Sequence, residues 1–239
     1  ASSAAVYGES CPNVKLTEDH EMNPISPYGN SKRKMELEIN EFEKTIKMVK
    51  EWTDKPVCPD SEGAQLRTGN INGNNIHLVT GSTISFIDLS GNKDKAVIPL
   101  NVQNPGELLS LGALLRIDFN SVIVQISEVD GINMLARVIK GGEVGSNKGI
   151  SVDRPIIMPR FTNKDISAFK ISKKLGLDTF FLSFCSSGED VRALRKLFDY
   201  PIKVISKIES NRGLNNLSSI CKESDGILID RGDLSRDVP

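Results

Sequence analysis

The sequence carries almost no net charge: 30 lysines and arginines stand against 31 aspartates and glutamates, a formal charge of -1. No whole-chain field is therefore available to gather nucleic acid or an anionic membrane, and any anion site has to be local. Long apolar runs are missing too. The stretch around Leu108 to Leu115 is broken by glycine or charge well short of a membrane span, so no membrane helix is expected. Cysteine is scarce and scattered. Cys11, Cys58, Cys185 and Cys221 form none of the close pairs that zinc and redox motifs use, and they read as buried or incidental thiols of a reducing, cytoplasmic compartment. The opening ASSAAVYGES has no initiating Met, basic region or long apolar region, so it reads as the interior of something and not as a secretory signal.

What is present suffices for a core, since 38% of the 239 residues are hydrophobic. From Tyr28 to about Trp52 the residues Met35, Ile39, Phe42, Ile46 and Val49 recur in alternating steps of four and three, which predicts one amphipathic helix. Pro27 suits its start. The segment KPVCPD should end it and supply a short buried strand that delivers Asp60 to its carboxyl end. Between Gly69 and about Asp153, the runs IHLV, TISFI, LLRI, VIVQIS and MLARVI are punctuated by glycine turns and predict a small all-β barrel or sandwich. After Pro159, helices alternate with the apolar strands LDTFFLSF, IKVISKI and DGILID, which read as buried on both faces. Thr162 with Asp165, and Ser186 with Glu189, have the spacing of capping boxes. Such alternation implies right-handed crossovers in an α/β barrel or an open α/β sheet.

Charged residues at the carboxyl ends of barrel strands are the natural place to look for chemistry. Asp60 follows the Val57 strand, Lys207 and Glu209 end IKVISKIE, and Asp233 follows GILID. A lysine and carboxylates converging on one face could hold a divalent cation and stabilise negative charge developing on an oxygen. The plainer alternative is an ion pair between Lys207 and Glu209 at a strand end.

The segment KVISKIESNRGLNNLSSICKESDGILIDRGDLSRDVP resembles the pyruvate kinase signature, an Ile-Ser-Lys-Ile-Glu-Asn strand followed by Asp-Gly-Ile-Met-Val-Ala-Arg-Gly-Asp-Leu-Gly. PDSEGAQLRTG is similar to that family's Asp-Thr-Lys-Gly-Pro-Glu-Ile-Arg-Thr-Gly. GGEVGSNKGISV is similar to the stretch that closes its inserted β-domain, and FTNKD and FFLSF fall where the family has equivalents. The resemblance implies an α/β fold, a partial TIM-type (β/α) barrel over 43–69 and 154–239, with a small all-β domain inserted at 70–153. It also implies phosphoryl transfer from phosphoenolpyruvate to ADP, giving pyruvate and ATP. Lys207 would be the catalytic cation, Glu209 and Asp233 would ligate magnesium, and Asp60 with Ser61 would hold potassium. Gly232 and Asp233 would cradle the substrate carboxylate, and Arg67 and Lys148 would face nucleotide phosphates.

The sequence departs from that family in places. No Asn-Phe-Ser-His-Gly-like segment occurs, and the chain stops at Pro239, before the Ala-Thr-Gln-Met-Leu-Glu-Ser segment. Glu62 stands where lysine is usual, Ser186 replaces an arginine, Phe119 and Asn120 replace Asp-Gly, and Asp230 takes the place of a small alanine. Little or no turnover is therefore expected of this chain alone. Self-association, or a partner chain completing the barrel, is expected as well, with no nucleic-acid or membrane partner.

The front is different. SSAAVYG, TED and PISPYGNSK, within residues 1–42, resemble extended short-chain dehydrogenases that act as sugar-nucleotide epimerases. By that resemblance Ser3, Tyr28 and Lys32 match the catalytic Ser, Tyr and Lys. The glycine-rich dinucleotide turn is missing, so these groups are expected to be vestigial and NAD is not expected to bind. An epimerase remnant, or a non-catalytic chimeric fragment, are the alternatives to the phosphotransferase.

Overall fold

Two apolar patterns of different period fold around two separate cores. The computed structural model describes residues 27–71, 75–87, 97–119, 121–131 and 133–237. It opens with the expected helix, α1 (Pro27–Trp52), whose Ile46 is buried and whose Phe42 packs against the second of the two cores. The Met35 and Ile39 side chains lie outside the described residues.

The period-two segments form β1 (Ile76–Leu78), β2 (Thr83–Ile87), β3 (Val97–Pro99), β4 (Leu114–Ile117), β5 (Val122–Asp130), β6 (Asn133–Lys140), β7 (Gly142–Val144) and β8 (Ile150–Val152), with the one-turn helix α2 (Pro105–Leu108) between β3 and β4. One six-stranded sheet runs β3-β2-β6-β5-β4-β8, and β1 pairs with β7. Alternate residues point inward, as in Leu115 and Ile117 of β4 and Val122, Val124 and Ile126 of β5. They meet Leu66, Phe86, Ile98 and Leu100 in the first core. The parallel pairing of β2 with β3 had no signal in the sequence reading.

The second core belongs to a parallel sheet in which β10 (Lys203–Ile208) lies between β9 (Thr179–Leu182) and β11 (Gly226–Ile229). The helices α3 (Asn163–Lys174), α4 (Gly188–Arg195), α5 (Asn211–Asn215) and α6 (Leu217–Glu223) alternate with these strands, and α7 (Arg231–Asp237) follows β11. Phe180, Leu182, Val204 and Ile208 meet Phe169 of α3, Val191 and Leu194 of α4 and Ile220 of α6. Phe161, Phe169, Phe180, Phe198 and Tyr200 form a continuous chain of aromatic contacts through it. The α/β class and the partial-barrel sheet are as expected.

Three expectations need correction. The Val57 strand is reduced to a single parallel bridge, Asp60 with Phe181, closed by Phe181 N–H to Pro59 O and Ser61 N–H to Phe181 O. Pro56 and Pro59 have no N–H to continue a ladder, which accounts for its brevity. The strands are not apolar on both faces throughout, because Ile227 and Ile229 of β11 are exposed, at 37% and 58%. β11 pairs only with β10 among the described residues, so it is an edge. The first capping box forms, with Thr162 Oγ1 accepting the Asp165 amide and Asp165 Oδ2 accepting that of Thr162. The second is displaced by one residue, to Ser187 and Asp190.

Among the described residues no helix is long and apolar enough to cross a membrane. Cys58, Cys185 and Cys221 are free thiols. Burial pushes the Cys185 thiol up to about 11, whereas Cys221 is exposed. At neutral pH a maleimide should therefore modify Cys221 and spare Cys185 until the chain unfolds, which peptide mass spectrometry would read directly.

Candidate functional site

Strand periodicity places Lys207 at the end of β10 and Glu209 two residues on, so both project to the same side. The Lys207 ammonium lies 3.0 Å from Asp60 Oδ2, 3.2 Å from Glu209 Oε1 and 4.0 Å from Asp230 Oδ2, and it donates to Ser183 Oγ at 3.1 Å. Ser183 donates in turn to Asp60 Oδ1 at 2.9 Å, and its amide donates to Ser61 Oγ at 2.8 Å. The single Asp60 bridge is thus sufficient to carry a strand-end carboxylate into the cluster.

Glu209 is buried, and its Oε2 accepts the Phe184 amide at 2.6 Å. That amide is aimed by a left-handed turn, with Phe184 at φ 51°. The turn fits because Gly63, itself at φ 73°, has no side chain: a Cβ there would stand 2.8 Å from Phe184 Cδ2 and 3.0 Å from Ser183 Cβ. Burial pulls the Lys207 pKa down, but the hydrogen bond to Asp60 and the charge of Glu209 outweigh it and hold the ammonium above the ordinary lysine value. Burial pushes the Glu209 carboxyl up, and the Phe184 amide and Lys207 offset only part of that. Lys207 is thus a fixed cation at neutral pH.

Across the end of the sheet, Glu209, Asp230 and Asp233 each offer a carboxylate oxygen, all within 4.8 Å of one another. Three hard oxygen donors of this kind suit a small divalent cation such as magnesium. Asp230 Oδ1 accepts the amides of Gly232 at 3.0 Å and Asp233 at 3.4 Å, which are the groups assigned by resemblance to a substrate carboxylate. A cavity of about 420 Å³ opens beside the cluster, with Glu209 and Asp233 in its wall and Arg116 and Arg154 reaching it from the β-strand side.

Of the expected site residues, Asp60, Ser61, Lys207, Glu209, Gly232 and Asp233 come together. Arg67 and Lys148 are joined elsewhere: the two segments pair, Arg67 Nη1 donates to Asn147 O at 3.1 Å, and Lys148 Nζ lies 3.0 Å from Asp118 Oδ2. Ser3 lies outside the described residues. Tyr28 and Lys32 sit in the first turns of α1, and their side chains are also outside the description. The sequence reading missed Ser183 and Phe184 as site members. The strand-end rule that found Lys207 applies equally to Ser183, which directly follows β9.

A parallel β/α sheet with a lysine and clustered carboxylates at the carboxyl ends of its strands has the arrangement of a segment of a β/α barrel, with a site suited to a cation. Residues 28–239 match the family model described as pyruvate kinase, barrel domain. The pyruvate kinase of Clostridium acetobutylicum is 31% identical over 204 residues, 81% of this chain and 43% of that protein. The pyruvate kinase of Agaricus bisporus is 30% identical over 194 residues, 77% of this chain and 36% of that protein. The chain belongs to the pyruvate kinase family. It spans about two fifths of the length of these curated relatives. The family match begins at residue 28, inside the 1–42 segment read as epimerase-like, and the matches support only the pyruvate kinase part of the sequence reading.

Proposed function

We propose that this chain carries the lysine and metal part of a pyruvate-kinase-like phosphotransferase site, acting on phosphoenolpyruvate and ADP. The observation that supports this most is the convergence of Lys207 with Asp60, Glu209, Asp230 and Asp233 at the carboxyl ends of the strands. Phosphoryl transfer is catalysed mainly by positioning and charge neutralisation. Lys207, held by Asp60 and Ser183, would stabilise negative charge on the transferring group or on the enolate oxygen. Glu209 and Asp233 would hold magnesium, with Asp230 adjoining them; when bound, the ion supplies charge neutralisation at phosphoryl oxygens. Potassium fits less well. Asp60 already has one oxygen on Lys207 and the other on Ser183, which leaves the Ser61 carbonyl of the expected pair, so no step is assigned to that ion.

Residues 43–69 and 154–239 would form the partial barrel and 70–153 its inserted β-domain. Arg67 and Lys148 would meet nucleotide phosphates once Lys148 leaves Asp118. The exposed edge of β11 is where a second copy or partner chain would add, a point that sedimentation velocity tests. Residues 1–42 would serve as scaffold, and titration with NAD should give no saturable signal.

Manganese titration followed by electron paramagnetic resonance tests the site itself. One ion should bind, and Glu209→Gln should weaken it by about tenfold or more. Binding that is indifferent to Glu209→Gln would remove the basis of the proposal. In a lactate-dehydrogenase-coupled assay, turnover should be at least about a thousandfold below that of a complete site, because the Asn-Phe-Ser-His-Gly-like segment is missing. Fast turnover abolished by Lys207→Met would contradict this.

A further inference from the structure

We propose that the cavity beside the acidic cluster is a second ligand site, for a small organic anion with an apolar body, and that its occupancy is coupled to that of the cation site; the coupling rests on the functional reading above. At about 420 Å³ the cavity is of a size that takes small ligands. Ile150, Val152 and Ile156 of the first core, with Met158, give it an apolar wall, and the loops after β9 and β10 close the other side. Glu209 and Asp233 border it next to the cation site. Lys207 and Gly232, assigned above to phosphoenolpyruvate, do not line it, nor do Arg67 and Lys148, assigned to the nucleotide.

Four arginines line this cavity, and two of them are committed. Arg154 donates to Asp153 at 2.9 Å, to Ser110 Oγ at 3.1 Å and to Gly112 O at 3.1 Å, while Arg160 donates to Asp190 at 2.9 Å and Glu189 at 3.4 Å. Arg116 and Arg212 make no side-chain hydrogen bond among the described residues. Asp153, whose charge Arg116 also feels, is already held by Arg154 and by the Leu114 amide at 3.1 Å. With Asp153 and Asp190 matched in this way, and Glu209 and Asp233 given to a divalent cation, the wall has no counter-charge left for Arg116 and Arg212. A carboxylate or phosphate supplies one, because a guanidinium meets either through paired N–H groups. The cation and the anion then share one partly apolar enclosure, and their attraction makes each tighten the other.

The probe is anilinonaphthalene sulfonate, an anion with an apolar body whose fluorescence rises when water is excluded, titrated into the full chain as wild type, Arg116→Gln, Arg212→Gln and Met158→Trp. Manganese binding is read in parallel by paramagnetic resonance. Arg116→Gln should weaken the probe by about tenfold, Arg212→Gln by less because that side chain is more exposed, and Met158→Trp should exclude it by filling the cavity. Saturating manganese should tighten the probe by about threefold or more, and the probe should tighten manganese by the same factor. Phosphoenolpyruvate at saturating manganese should leave the probe in place. Affinity unchanged in both arginine variants would overturn the inference, since the probe would then report exposed apolar surface such as Ile227 and Ile229. So would displacement by phosphoenolpyruvate, which would make the cavity part of the substrate site, or bound manganese that leaves the probe's affinity unchanged. If manganese does not bind at all, the functional reading and the coupling fail together, whereas weakening of the probe in Arg116→Gln needs no metal and would still uphold the anion site.

Discussion

Replacing Phe180 by alanine is expected to remove about 3–5 kcal/mol of folding stability, a large part of what a domain of this size possesses. Phe180 is fully buried on β9, at the centre of the aromatic chain. Its ring meets Phe169 edge-on at 6.0 Å and Phe198 at 4.9 Å. Truncation removes the transferred area and leaves a cavity between β9 and two neighbouring elements that cannot both move in to fill it. Each broken aromatic pair adds about 0.5–1.5 kcal/mol to the loss. Urea denaturation should show a lower midpoint with an unchanged slope, and Phe180→Leu should fall between wild type and alanine. A midpoint unmoved by the alanine variant would mean that this core contributes little.

Replacing Asp190 by alanine is expected to cost about 3 kcal/mol, through loss of hydrogen bonds and not of volume. Its carboxylate accepts the Ser186 amide at 2.9 Å, the Ser186 hydroxyl at 2.8 Å, the Ser187 amide at 3.0 Å and Arg160 Nε at 2.9 Å. Without it the amides that open α4 lose their acceptor and Arg160 loses its nearly buried partner. Burial raises the Asp190 pKa, but the Ser186, Arg160 and Ser187 hydrogen bonds outweigh it and leave it below the ordinary aspartate value. A depressed folded-state pKa gives stability that is present in full above the unfolded value and is lost as the pH falls through the folded one. The gap in melting temperature between wild type and Asp190→Ala should therefore be widest near neutrality and should narrow below about pH 4. A gap that stays constant down to pH 2 would assign the loss to packing.

The parts of the fold legible in the sequence were those with a strong period. The stripe through Phe42, Ile46 and Val49 gave α1, and alternation in LLRI and VIVQIS gave β4 and β5, because burial of one face imposes the period directly. At Val57 the apolar character points to a strand, but the missing N–H groups of Pro56 and Pro59 limit it to the single Asp60 bridge. The displaced cap at α4 reflects a competition that spacing cannot decide: Ser186-Ser187 and Glu189-Asp190 offer two registers, and the short Asp190 carboxylate can serve both serine amides at once. Lys207, Glu209 and Asp233 were legible as strand-end charges. Ser183 was open to the same rule as a strand-end residue, but the Phe184 amide was not, since its role depends on a left-handed turn that fits against Gly63, 121 residues away in the chain. Asp230 was noticed as a substitution, but its bonds to the two following amides emerge only from the backbone path after β11.

The two borders of the parallel sheet are chemically unlike. On the Asp60 side Pro56 and Pro59 have no N–H to offer, whereas β11 pairs on one side only among the described residues and leaves the side chains of Ile227 and Ile229 exposed. The described sheet is consequently better guarded on one side than on the other. The Asp60 border is thereby protected against strand addition, and a Pro56→Val, Pro59→Val double variant is the change that would expose it.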